Sequence, residues 1–327
     1  MNEKKTTGHV DVLGKIKHLY SQHTYIFSFL LLFAIMVIIN PGYFSFTSLS
    51  TLVMQSTIKG ILALCMTLVI IAGMIDLSVG SNVAITASLG IVVLNYTGSS
   101  IIAVLFCLLF SVLMCSFIGF FVTKGKIAPF IVTLATTSIF RSVIVQLGQG
   151  GPFNVSNEHL SNFRTIAAGD LVLGIPNLAV IFLALAVIMS ILSTQTKFGR
   201  YVYAVGSNEM AARLAGVKVN QVKMKIYILL GLMVGTTSFL FASRLTSVTA
   251  ANAGLGYELD AIAAAIIGGT SFSGGRGRVV GTLFGALSLQ LIESLLIAAR
   301  IPPFLTGLVK GTIILVAVLL QSKKNQK

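Results

Sequence analysis

The stretch GMIDLSVGSN, Gly73–Asn82, interrupts two apolar runs, GILALCMTLVIIA (60–72) and VAITASLGIVVLNY (83–96). Asp76 within it is the only formal charge between Lys59 and Lys124. Working outward, the same texture extends over the whole chain. Of 327 residues 55% are hydrophobic and 10% charged, and the mean hydropathy is +0.94. A soluble domain carries roughly 25% charged residues. A chain this apolar cannot cover itself with a water-facing surface, and it reads as an all-α, polytopic transmembrane helical bundle.

Apolar runs fall at 25–40, 51–73, 79–96, 101–123, 128–147, 176–193, 226–243, 258–273, 278–299 and 303–320. They predict about ten spans of ~20 residues. The short eighth run and the break at 73–82 are the candidates for partial or re-entrant segments. The net charge of +14 is read as a topology signal rather than a nucleic-acid footprint. With the N-terminus inside, the inner segments hold seventeen Lys and Arg and the outer segments three, Arg164, Arg244 and Arg300. Lys and Arg concentrate on the cytoplasmic side. Residues 1–24 and 321–327 are therefore expected as cytoplasmic tails of a membrane domain over 25–320. KIAPFIVTLATTS from Lys126 and RIPPFLTGLVKGT from Arg300 are weakly alike. They enter the membrane from opposite sides five spans apart, as two inverted-topology halves require.

Cys65, Cys107 and Cys115 lie inside apolar runs and the four histidines outside them, with no metal-ligand spacing. The phosphate-loop pattern G-x-x-x-x-G-K-[ST] is absent, so this chain is not expected to hydrolyse ATP by that route.

Five charges fall within runs: Lys59, Asp76, Arg141, Glu293 and Lys310. A charge at mid-membrane costs about 2.5–3.5 kcal/mol on insertion scales and marks a functional candidate. Lys59 is placed to snorkel from a span end. Arg141, Glu293 and Lys310 are read either as pairing with one another or as lining a substrate path. Asp76, with Ser78 and Gly80, either satisfies freed backbone groups at the start of the third span or touches a ligand. A second glycine-rich run, IIGGTSFSGGRGRVVGTLFG (266–285), contains Gly268, Gly269 and Thr270; its Gly277, Gly281 and Gly285 recur every four residues and form one flat helix face for close packing.

Two loops are long, an outer one over 148–175 and an inner one over 194–225, and loops of that length are usually functional. In the inner loop Asn208 is placed to cap a short helix over Glu209–Leu214, with Gly216 ending it. Glu209 and Arg213 are spaced to pair. Ala211, Ala212, Ala215 and Gly216 offer a small-residue surface to a partner.

GMIDLSVGS, GRYVYAVGSNEMAARLAGV (199–217) and AAIIGGTSFSGGRGRVVGTLFGAL (264–287) together resemble the ribose/xylose/galactose class of ABC transporter permeases. The resemblance runs from about residue 45 to the C-terminus. It implies a multi-pass subunit of the bacterial inner membrane, working as a homodimer with a cytoplasmic ATPase and an extracytoplasmic sugar-binding protein. The cargo implied is a monosaccharide, a ribose-like pentose or a hexose. The chain itself carries no cofactor; ATP and Mg sit on the ATPase. The chain is then a transport subunit rather than an enzyme, with no nucleic-acid partner. The inner loop, with Gly206, Asn208, Glu209, Ala211, Ala212, Arg213 and Gly216, is the implied ATPase-coupling segment. The rival reading is a proton-coupled secondary transporter that uses Asp76 or Glu293 as proton carrier.

Overall fold

The structure is a computed structural model that describes residues 24–171, 174–302, 305, 307–312, 315–316 and 319. The expected tails, 1–24 apart from Thr24 and 321–327, lie outside these residues.

The chain is built from helices α1 (Thr24–Ile39), α2 (Phe46–Ile71), α3 (Val79–Thr97), α4 (Ser100–Thr123), α5 (Pro129–Leu147), α6 (Asn157–Ala168) and α7 (Asn177–Gln195). There follow α8 (Lys197–Ser207), α9 (Glu209–Leu214), α10 (Val219–Leu245), α11 (Tyr257–Ile267) and α12 (Val279–Ala298). Residues 307–312 continue as helix. Seven helices, α2, α3, α4, α5, α7, α10 and α12, are long and apolar enough to cross a membrane. Helix α1 is apolar but has 16 residues, and α11 has 11, against the ~20 that a full crossing needs. The eighth apolar run is thus a half-length helix.

One departure from an all-helical chain is a ribbon of two antiparallel strands, β1 (Pro152–Asn154) and β2 (Ser247–Thr249), pairing Phe153 with Val248. Strand β1 and α6 lie in the long loop over 148–175, and β2 follows α10. Asn95 at the end of α3 ties the ribbon down, donating to the Asn154 carbonyl at 2.8 Å and accepting from Ser156 N at 2.9 Å.

Helix α2 is the axis of the bundle. Ser45 caps it by accepting from Ser48 N, and every residue from Ser56 to Ile71 except Lys59 is buried. It packs against α7, α10, α11 and α12. Helix α4 is the opposite case. Its Ile101, Leu105, Leu109, Leu113, Phe117 and Phe120 are exposed at spacings of three to four, an apolar stripe that lipid, not water, would cover. Its other face meets α10 antiparallel. Gly231 lies on the backbone of Ser111 and Val112, and Gly235 on that of Cys107 and Leu108, so glycines let the two backbones close up. The end of α4 and the start of α10 thus lie together. Lys223 of α10 pairs with Glu209 of α9 and Gly206 of α8 lies on Gly275 N, so α8, α9 and the loop 268–278 join the same face, which carries Lys124, Lys126, Arg200, Lys223, Arg276 and Arg278. We call it the basic face.

Candidate functional site

The break over 72–78 shows why Asp76 is tolerated. Helix α2 stops at Ile71, and Gly73 turns the chain at φ +76°. Asp76 Oδ1 then accepts from both Ser78 N at 2.7 Å and Ser78 Oγ at 2.6 Å. This is an aspartate turn that feeds directly into α3. Asp76 and Ser78 are fully buried, and Asp76 Oδ2 has no hydrogen-bond partner among the described residues. Thr137 of α5 donates to the Leu77 carbonyl at 2.8 Å. A polar line continues into α4: Asn82 Nδ2 donates to Cys115 Sγ, Thr86 Oγ1 donates to Asn82 Oδ1, and Thr86 meets Ser111 at 3.0 Å.

A second break precedes α11, and the two breaks touch. A methyl group on Gly80 would meet the Gly254 carbonyl and Glu258 Oε2. Arg141 of α5 holds this second break in place, its Nη1 donating to the carbonyls of Ala250 at 2.5 Å and Ala253 at 2.6 Å. The expectation that Arg141 pairs with Glu293 or Lys310 is corrected here. Helix α5 packs on α3 and α4, whereas α12 packs on α1, α2, α7 and α11. Arginine instead neutralises backbone carbonyls that lipid would leave bare.

Glu293 and Lys310 do meet, inside a four-charge ring. Lys59 contacts Asp260 at 3.0 Å and also Glu293; Lys310 contacts Asp260 at 2.9 Å and also Glu293. Each ammonium thus touches both carboxylates. Lys59 does not snorkel; burial against two carboxylates holds it inward. Asp260, 9% exposed at its side chain, was missed because it opens the eighth run beside Glu258 and reads as a span flank. The one signal was a carboxylate on the apolar face of a helix too short to span.

The glycine-rich loop joins the basic ends of α11 and α12. A methyl on Gly268 would meet the Gly281 backbone, and one on Gly285 the Ala264 carbonyl. Gly281 and Gly285 therefore pack on the end of α11, whereas Gly277 precedes α12 and packs on the Thr270 and Ile71 side chains, so the expected helix face holds two of its three glycines. Gly269 takes φ +88°, and Thr270 is fully buried.

The inner loop carries two helices, α8 and α9, where one was expected. Asn208 Oδ1 caps α9 by accepting from Ala211 N at 2.9 Å, and Gly216 ends it at φ +82°. Glu209 pairs with Arg213 at 3.1 Å and with Lys223 of α10 at 2.7 Å. The Lys223 hydrogen bond leads the effects that hold the Glu209 carboxyl below its ordinary range, with Arg213 adding to them. Ala212 is buried and Gly206 packs on the Ile71 carbonyl and Gly275 N. Those two residues face this chain's own bundle. Ala211 and Arg213 are exposed, and the large apolar side chains left bare are Met210, 67% exposed, and Leu214, 82% exposed.

A buried axis, an apolar stripe suited to lipid and two touching helix breaks define a polytopic membrane bundle. The chain matches, over residues 48–318, the family described as "Branched-chain amino acid transport system / permease component", and it belongs to that family. It is similar to the ribose import permease protein RbsC of Bacillus subtilis (39% identical, 90% of this chain and 91% of the relative). The ribose import permease protein RbsC of Escherichia coli K12 is 36% identical over 90% of this chain and 92% of the relative. The autoinducer 2 import system permease protein LsrC of Enterobacter sp. is 33% identical over 91% and 85%. No solved structure matches. The chain is a multi-pass transport component of the ABC importer type, not an enzyme.

Proposed function

We propose that this chain is the permease of a monosaccharide importer, most nearly a ribose-type pentose or hexose system, driven by ATP on a separate ATPase with its Mg. In this reading the bundle lies in the inner membrane with both termini and the basic face in the cytoplasm. It comprises about ten membrane segments in two inverted halves, works as a homodimer and receives sugar from an extracytoplasmic binding protein. Transport proceeds by alternating access around the touching breaks.

The observation that carries this reading is the α8–α9 segment. It projects from the basic face with Met210, Leu214 and Arg213 bare, while its other side packs on the ends of α2 and the glycine-rich loop. That is a docking surface for a cytoplasmic partner, coupled to the spans. The names of the relatives support the sugar. A proton-coupled carrier is not favoured, because Glu293 is held by two ammonium groups and Asp76 by Ser78. The test is uptake of a panel of labelled monosaccharides in cells lacking the native system, with permease, ATPase and binding protein supplied together. Uptake should vanish when the ATPase is omitted or when Leu214→Asp is introduced; uptake that persists without the ATPase refutes the reading.

A further inference from the structure

Three elements, α2, α11 and α12, pack pairwise and are tied at two levels. Midway along α2 the ring of Lys59, Asp260 and Glu293 joins them. At the basic face Gly275 N donates to the Ile71 carbonyl at 2.8 Å, joining the end of α2 to the loop between α11 and α12. Two hydrogen-bonding or close contacts from α8 reach this junction. Tyr203 Oη donates to the Gly277 carbonyl at 2.8 Å. One turn on, Gly206 lies against the Ile71 carbonyl and Gly275 N, with no room for a side chain. Gly274 and Gly275, at φ +81° and +69°, keep the loop folded onto α8.

We propose that Tyr203 is a positioning residue that latches the coupling segment to the glycine-rich loop, so that movement of α8 shifts α2, α11 and α12 as one lever. Gly206 is the bearing surface of that latch. The proposal rests on the importer reading and deepens it: α9 meets the partner, and α8 passes the motion on. The hydroxyl matters more than the ring, because it is the hydroxyl that reaches the Gly277 carbonyl.

The experiment compares wild type, Tyr203→Phe, Gly206→Ala and, as a control, Tyr201→Phe, whose side chain belongs to a residue 45% exposed. Each permease is assembled with ATPase and binding protein in liposomes. Association, ATP hydrolysis and sugar moved per ATP are read, and amide exchange over residues 271–278 is followed on the permease alone. Loss of one neutral hydrogen bond should lower sugar moved per ATP about two- to tenfold. Association and hydrolysis should be kept, exchange over 271–278 should quicken, and Tyr201→Phe should match wild type. Gly206→Ala, which wedges the same junction with Tyr203 intact, should lower the ratio as well. An unchanged ratio in Tyr203→Phe overturns the latch; so does a lowered ratio without quicker exchange, or loss of ATPase association, which would make Tyr203 a docking residue. Should wild type move no sugar, the importer reading fails while the exchange comparison still decides the latch, unchanged exchange refuting it.

Discussion

Asp76 and Asp260 are both carboxylates buried in an apolar bundle, and they are accommodated in opposite ways. Asp76 is held by its own chain two residues on, Oδ1 accepting from Ser78 N and Oγ, while Oδ2 has no hydrogen-bond partner among the described residues. Asp260 is satisfied by Lys59 and Lys310, which come from α2 and from the helix beyond α12. A carboxylate that needs only backbone N–H and a hydroxyl can be served by a local turn. One that must keep its charge beside other charges needs cations, and these have to arrive from other helices. The first arrangement shapes a break in a span. The second fastens separate spans to each other.

That difference predicts unequal penalties. Asp260→Leu leaves Lys59 and Lys310 sharing Glu293 alone, and breaking a buried pair from one side costs about 3–5 kcal/mol. The lower part of that range is expected, because the Lys59 and Lys310 side chains are 27% and 19% exposed. Adding Lys310→Met should recover most of the loss, since it removes the uncompensated charge. The chain lacks tryptophan, but Cys65, Cys107 and Cys115 are buried free thiols. A thiol-reactive fluorophore during a thermal ramp therefore reports unfolding. A double variant no more stable than Asp260→Leu would break the comparison, because the ring would then not act as one charge-balanced unit.

Asp76 should give a smaller and differently shaped response. Asp76→Asn keeps an oxygen for Ser78 N and is expected to be mild. Asp76→Leu strands the Ser78 donors in a fully buried place, a loss of about 1–3 kcal/mol. No second-site change of a charge should rescue it. The same thiol ramp separates the two variants. Equal loss in Asn and Leu would show that the charge, not the hydrogen-bond geometry, is what the break requires.

The same contrast explains what was legible in the sequence. The aspartate turn, the Asn208 cap, the Gly216 stop and the Gly281 and Gly285 face of α12 are local patterns. Each is complete within about ten residues, so each could be read directly. The ring was readable only in part: pairing of Glu293 with Lys310 is one of the two readings the sequence allows, whereas Lys59 reads as a snorkelling residue and Asp260 does not stand out, because their partners lie 201 and 50 residues away in Asp260 and Lys310. Arg141 misled for the same reason. An arginine within a span suggests a carboxylate partner, and nothing in the linear pattern shows that the carbonyls of Ala250 and Ala253 turn toward it. Helix α8 was missed because it is short and sits in a polar stretch, although Val202 and Val205, three residues apart, bury against the bundle.

The smallest effect belongs to a third carboxylate, Glu209, which joins both habits at the surface. It pairs locally with Arg213, four residues on, and distantly with Lys223. Its side chain is 45% exposed, so solvent screens both pairs, and the local one is worth only about 0.2–0.5 kcal/mol to α9. The Lys223 hydrogen bond, ahead of the other causes, depresses its titration when folded. A depressed carboxylate contributes stability that is fully present above its unfolded value, about 4.3. That contribution is lost as pH falls through the lower folded value. Amide exchange over 209–216 should therefore be slightly faster in Glu209→Gln than in wild type at neutral pH, and the gap should close only in acid below the ordinary glutamate range. A gap that closes already near pH 6 would mean that the Glu209 carboxyl is not depressed by Lys223, and no gap at neutral pH would mean that α9 is held by the burial of Ala212 instead.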